Sequence, residues 1–460
     1  MRFFSIILII LSILVVHCIA DTTYVAAGNV SGIWTAENSP YVVNQGDLIV
    51  PNGNILEITP GVQVLMGIGR KLEVQGLLNA IGAEGDSVVF TCLNGQGYFW
   101  KHIYFNYPDD TCRMEYCVLE RSNATGNSDT TTGGSVKLIN GNMVLSHCSI
   151  RINRTYYFGA GVYAEQSNCS FDSCIFYYNW NLNGEGGALN FFLCTAIVTN
   201  CDFFYNSGMS NGGAVVHIGG NLSVNNCAFL QNYATSGGAF AINGAVFSIK
   251  NSTFFQNGIS SAGAMYVSLS QMVVDNCIFS NNPGDEAIVL DIPGETSITY
   301  SCFYGNQANI GWYNLPGFQH INYVNSNGDS CDIYHNIFLP PQMVAPSSYN
   351  YNLLPTSPCI DAGDPHLPFD PDSTVSDIGK AFFDQTLYPI ENLTITLQDE
   401  NVHLNWPGNL LATQYCVYKS FEPYFELSAA QQFFTADTFF VDSDALSEGA
   451  GFYRVTVIRE

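Results

Sequence analysis

Cys174-Ile-Phe-Tyr-Tyr-Asn179, Cys201-Asp-Phe-Phe-Tyr-Asn206 and Cys227-Ala-Phe-Leu-Gln-Asn232 are one hexad written three times. It extends back to Cys148-Ser-Ile-Arg-Ile-Asn153. It extends forward through Ser252-Thr-Phe-Phe-Gln-Asn257, Cys277-Ile-Phe-Ser-Asn-Asn282, Ser301-Cys-Phe-Tyr-Gly-Asn306 and Cys331-Asp-Ile-Tyr-His-Asn336. Successive first positions lie 26, 27, 26, 25, 25, 24 and 30 residues apart. A second motif, Gly followed by Val or Ala, keeps the same beat at Gly161, Gly187, Gly213, Gly238 and Gly263. Two motifs locked to one period define a stacked solenoid.

The residues between the hexads select the kind of solenoid. Leu222-Ser-Val-Asn225 and Phe247-Ser-Ile-Lys250 alternate apolar with polar, which is the period of a strand. Gly and Asn fill the breaks and accept left-handed backbone angles. The chain therefore reads as all-β. Three short strands make a coil of about 25 residues, and coils stack in parallel as a right-handed β-helix. Rungs are expected roughly 4.8 Å apart.

Each repeated position then has a physical task. Phe176, Phe203, Phe229, Phe254, Phe279 and Phe303, with Ile150 and Ile333, are expected to stack inward. Each buries about 1.5–3 kcal/mol of apolar side chain. Asn153, Asn179, Asn206, Asn232, Asn257, Asn282, Asn306 and Asn336 are expected to line one turn, bonding the backbone of the next coil. Cys148, Cys174, Cys201, Cys227 and Cys277 share a slot with Ser252 and Ser301. Equivalent atoms on neighbouring rungs stand at or beyond disulfide range, so these read as small buried thiols. No Cys-x-x-Cys pair or recurring His supports a metal there.

Outside the repeat the chain divides further. Residues 1–20 read as a secretory signal, with Arg2 before an apolar run and Cys18-Ile-Ala20 before the cleavage point. A lipid on Cys18 is the alternative, and His17 is the wrong residue before it. No later segment has membrane length, so no transmembrane segment is expected after signal cleavage. Residues 21–91 read as an N-terminal cap and irregular first coils, with Trp34 and Tyr41 placed to plug the end. Residues 92–340 hold the repeats, 341–386 a C-terminal cap and linker, and 387–460 a small β-sandwich. Asn401 to Trp406, Gln414 to Lys419, Phe433 to Val441 and Gly451 to Ile458 supply its strands, seven in all by this rhythm.

Charge excludes several functions. Fourteen basic against 39 acidic residues leave a net charge of -25, against nucleic acid as a partner. The same balance disfavours acidic polysaccharides and anionic membranes. Hydrophobic residues at 47% and charged ones at 12% exclude long disorder. An exported monomer that meets a polysaccharide or a cell-surface protein remains.

The Gly-Gly-Ala motifs Gly186-Gly-Ala188, Gly212-Gly-Ala214 and Gly237-Gly-Ala239, paired with Phe-x-x-Asn, resemble the β-helix passenger of polymorphic outer-membrane proteins. The whole chain resembles secreted bacterial right-handed β-helix proteins of the pectate-lyase-like superfamily. Pro60-Gly-Val-Gln-Val64 and Ser357-Pro-Cys-Ile-Asp-Ala-Gly-Asp-Pro365 carry that likeness. Trp406, Tyr415, Val417 and Tyr453 resemble the core pattern of a fibronectin type III-like sandwich. Attachment through a membrane barrel or a sorting domain is not expected from this layout.

Two functional readings follow, because the fold hosts both. One is a non-catalytic surface or adhesive protein that binds glycans or proteins along its side. The other is a polysaccharide lyase or glycoside hydrolase, which needs carboxylates about 5–9.5 Å apart. The outward register Asp172, Thr199, Asn225, Lys250, Asp275, Thr299 sets its two acids four coils apart. Asp202 stands alone, and Asp109, Asp110 and Glu115 read as a solvated loop. Arg151 and Arg154 lie close together without an acid cluster. An aromatic strip at Tyr177, Phe204, Phe255 and Tyr304 is the candidate binding surface, with packing under a loop as its bland counterpart. Asp361, Asp364, Asp370, Asp372 and Asp377 offer hard oxygen ligands for calcium, or simply build the cap. No other cofactor is implied. His217, His320 and His335 read as structural singletons.

Overall fold

A computed structural model of the chain describes residues 22–93, 99–124, 132–258, 261–313, 315–385, 390, 392–399, 401–409, 412–423, 427, 430–443, 445 and 451–458. The expected signal segment, 1–20, lies outside the described residues. The fold is an all-β parallel solenoid of about 10 coils and about 26 residues per coil. No described helix is long and apolar enough to cross a membrane. The chain divides into two units. The first holds the solenoid to Asp275, with 279–298 and 305–316. The second holds 276–278, 299–304 and everything from Gly317.

Parallel pairing starts at once, with Thr23 opposite Tyr41 and Gly28 opposite Leu48. The stretch read as irregular is therefore already coiled. Trp34 and Tyr41 stack on each other at 4.5 Å and are buried. Between Leu189 and Lys250 the expected short strands merge. Leu189–Thr199, Val215–Asn225 and Phe240–Lys250 each run for 11 residues, two strands of the coil joined through a bend. Leu193, Gly219, Gly220 and Gly244 take positive φ at that bend, so the ladder continues through it.

Buried polar turns hold the corners. In the first unit, the backbone N–H of each ladder Asn donates to the Oδ1 of the next at 3.0–3.3 Å, from Asn153 to Asn306. Each Nδ2 donates to the same oxygen at 2.9–3.2 Å. The Nδ2 also donates to a carbonyl of the preceding coil, such as Phe176 O for Asn206. Every amide group is thus satisfied without water, as burial demands. Beside this ladder Phe176, Phe203, Phe229, Phe254 and Phe279 stack with ring centroids 4.6–4.9 Å apart and planes within 2–13°.

The Cys slot is a second polar turn. Each thiol or hydroxyl from Cys148 through Cys227 and Ser252 donates to the carbonyl two residues back at 2.7–3.3 Å. Ser and Cys interchange because both can make this bond. None of the 14 described cysteines is in a disulfide, and all are buried. Burial pushes the Cys112 thiol up to about 11 and the Cys169 thiol well above its ordinary value. Close approach fixes the glycines of the third corner. A Cβ on Gly213 would lie 2.2 Å from Gly238 O, and one on Gly187 2.1 Å from Gly213 O.

The eighth hexad departs from expectation. Ile333 is exposed rather than stacked inward, and Cys331 pairs antiparallel with Tyr323. Asn336 leaves the ladder pattern. Its Oδ1 accepts from Ser301 N and its Nδ2 donates to Asp332. The wider 30-residue spacing before this hexad carries the reason, because the extra residues leave the coil.

The second unit ends in two antiparallel three-stranded sheets. One orders Thr394–Gln398, Asn401–Asn405 and Phe439–Asp442. The other places Gln414–Ser420 between Gln431–Thr435 and Phe452–Ile458. Leu404, Trp406, Tyr415, Val417 and Val455 form their shared core. Six strands are seen among the described residues where seven were expected.

Candidate functional site

An outward cleft of about 450 Å³ lies on the solenoid, lined by Ile152, Arg154, Tyr178, Trp180, Tyr205, Ser207 and Tyr233. The Asn ladder builds it. Ile152, Tyr178 and Tyr205 each immediately precede a ladder Asn and take φ of 57°, 51° and 51°. That left-handed step turns the Asn inward and throws the preceding side chain outward. Beyond the Asn the chain turns out again. Arg154 pairs with Trp180, Trp180 bridges to Ser207, and Ser207 bridges to Tyr233. Two outward files therefore run along the axis on either side of one buried amide ladder.

The rings in these files touch. Tyr178 and Tyr205 stack at 5.1 Å and 10°, and Tyr205 and Tyr233 at 6.4 Å. The Arg154 guanidinium lies 5.7 Å from the Trp180 ring centre and 5.4 Å from that of Phe99. Tyr178 and Trp180 are about half exposed. Burial, followed by the neighbouring phenols, holds the Tyr178 and Tyr233 hydroxyls above their ordinary pKa. Both stay neutral hydrogen-bond donors. Arg154 is the one charged lining residue among those described, a cation on a chain of net charge -25.

The cleft lies beside the sequence-derived aromatic strip rather than on it. Tyr177 and Phe204 are in register and half-buried. The file continues to Leu230 and Phe255, which are both buried. Phe255 therefore offers no outward ring. The strands Ala228–Leu230 and Thr253–Phe255 are buried at every position, so both faces of the sheet are covered there. Tyr304 is exposed in the second unit. Alternation points to the fourth hexad position, whereas at Ile152, Tyr178 and Tyr205 the left-handed backbone turns the fifth outward. Tyr at positions 178 and 205, directly before an Asn, was the available signal.

The candidate acids do not gather. Asp172 is four coils from Asp275 in the register Asp172, Thr199, Asn225, Lys250, Asp275. Burial works to raise the Asp172 pKa, but bonds from Asn200, Thr199 and Ser173 outweigh it and lower it. Asp275 pairs with Lys250 at 3.6 Å. Asp109 binds Asn52 and the backbone of Gly53, which braces a turn. Arg151 binds Glu120 at 2.9 Å rather than Arg154's cleft. His217 is fully buried.

The five cap carboxylates accept hydrogen bonds from the cap itself. Asp377 accepts from Asp361 N and Phe383 N, and Asp370 from Asp377 N. Asp372 accepts from Thr374 and Gln385, Asp364 from His366, and Asp361 from the Gln385 side chain. Among the described residues no three His, Cys, Asp or Glu side chains converge as metal ligands. Burial first, then Asp370 and Asp361, pushes the Asp377 carboxyl up to about 7.

No protein-family model matches this sequence, and comparison with curated proteins finds no match. The class is therefore set by the fold alone, a parallel β-solenoid with small antiparallel sheets after it.

Proposed function

We propose that this is an exported, non-catalytic β-helix protein that binds glycans or partner proteins along its side. The aromatic cleft carries the reading. Its volume of about 450 Å³ is that of a ligand site, and it combines apolar rings with a few polar groups. Ring faces and edges take the C–H faces of sugars or apolar side chains. The phenols, Ser207 and Arg154 supply donors that fix orientation. Files running along the axis favour an extended ligand over a compact one. The separation of Asp172 and Asp275 supports binding over hydrolysis. Export rests on the first twenty residues, and the likeness to secreted pectate-lyase-like β-helix proteins and to a fibronectin type III-like domain rests on the motifs quoted above.

Retention on immobilised polysaccharides, with soluble products assayed in parallel, tests the proposal. Trp180→Ala with Tyr205→Ala is expected to weaken retention by about fivefold or more, from about 0.5–1.5 kcal/mol per lost aromatic contact. Retention unchanged by the double substitution refutes the cleft. Release of soluble oligosaccharide replaces the binding reading with the enzymatic one.

A further inference from the structure

The C-terminal sheets contain an arrangement that the binding cleft does not explain. Lys419 is the next-to-last residue of the strand Gln414–Ser420, in one sheet. Asp442 ends the strand Phe439–Asp442, in the other. Their side chains are 2% and 8% exposed, and Lys419 Nζ lies 2.7 Å from Asp442 Oδ2. Tyr453 is the register partner of Lys419 on the neighbouring strand. Its hydroxyl donates to the same Oδ2 at 2.6 Å. An amine and a phenol thus converge, from one sheet, on a single oxygen of a buried carboxyl held by the other.

We propose that Lys419 and Asp442 are joined by an intramolecular isopeptide bond. Burial disfavours the charged forms of both groups, so proton transfer from ammonium to carboxylate is favoured there. It leaves a neutral amine facing a neutral acid, which is the reactive pairing. The 2.7 Å contact puts Nζ near the attack distance of about 3–3.5 Å from Cγ. Nζ adds to Cγ as the carbonyl electrons move onto Oδ1, and the Tyr453 hydroxyl, which donates to Oδ2, steadies the oxygen that leaves. Oδ2 then leaves as water, taking two of the three ammonium protons, while Nζ keeps the third. One N–C bond forms, one C–O bond breaks and nothing is oxidised or reduced. No cofactor or outside reactant is needed. The product ties the two sheets covalently.

The tryptic map of the full chain, denatured and reduced, reads this directly. Between Lys380 and Arg454 the only cleavable residue is Lys419. An isopeptide at Lys419 blocks that cleavage. The expected result is a single peptide, residues 381–454, lighter by one water than its sequence. In Asp442→Ala the cut after Lys419 returns, and because digestion follows denaturation this holds whether or not the variant folds. Wild-type protein that yields separate 381–419 and 420–454 peptides at their sequence masses overturns the proposal. So does a water-deficient peptide that persists in Asp442→Ala.

Discussion

His217 offers the sharpest test of the solenoid core. It faces inward between Phe191 and Ile242 in the register, is fully buried and packs edge-on against Phe191 at 5.8 Å. Among the described residues neither ring nitrogen has a hydrogen-bond partner. Burial alone pulls its pKa from 6.5 to about 4. The unfolded chain therefore binds a proton that the folded chain refuses. Full stability is present above pH 6.5, is lost as pH falls toward 4, and falls no further below that. At about 1.36 kcal/mol per pKa unit, the loss totals ~3 kcal/mol. The perturbation is His217→Leu, an apolar side chain like its register neighbours. At pH 7 it should stabilise by about 1–3 kcal/mol, the cost of the unsatisfied ring. By pH 4.5 that advantage should grow by about 2–3 kcal/mol. Urea unfolding at both pH values, followed by tryptophan fluorescence, measures the difference. An advantage that stays constant with pH refutes the reasoning, because the histidine would then carry its proton in the fold.

Other outcomes follow from the same geometry. Asn206→Ala removes the acceptor of two Asn179 donors and leaves Phe176 O without its amide partner. At about 1–3 kcal/mol per stranded group, it should cost ~3 kcal/mol or more in urea unfolding. Gly213→Ala should prevent soluble expression, since its Cβ would press on Gly238 O, whereas Gly244→Ala meets no neighbour and should cost ~1 kcal/mol for its φ of 64°. Asp377 works with the opposite sign to His217. Its folded pKa of about 7 stands above 3.8, so the cap is most stable below pH 4 and loses up to ~4 kcal/mol as pH rises to 7. Asp377→Asn should flatten that slope in pH-dependent hydrogen exchange of residues 359–385. Native protein should resist thiol labelling at the 14 described cysteines, and all 14 should react after denaturation.

The repeat was legible because one physical demand recurs in every coil. A buried turn needs an amide at Asn179, Asn206 and Asn232, and a ring needs a ring above it at Phe176, Phe203 and Phe229. Spacing alone exposes both. Asn336 shows where the reading ended, since the hexad survives there as letters after the coil geometry has gone. The cleft was harder to find. Alternation assigns sides only while the backbone stays extended, and the left-handed angles at Tyr178 and Tyr205 reset the sides within one residue. The Lys419–Asp442 contact was hidden for another reason. It joins strands in different sheets, and no sequence period links them.

The asparagine file has a head and a tail. Every Oδ1 accepts hydrogen bonds from the coil before it, and the N–H pair that meets an Oδ1, one from the backbone and one from the side chain, points onward to the coil after it. A gap in such a one-way relay is not felt equally on its two flanks. The upstream neighbour is left with two donors and nowhere to send them, while the downstream neighbour merely loses incoming protons. Fraying should therefore spread toward the N-terminus from any break, and repair by a substituted acceptor should be judged on that upstream side.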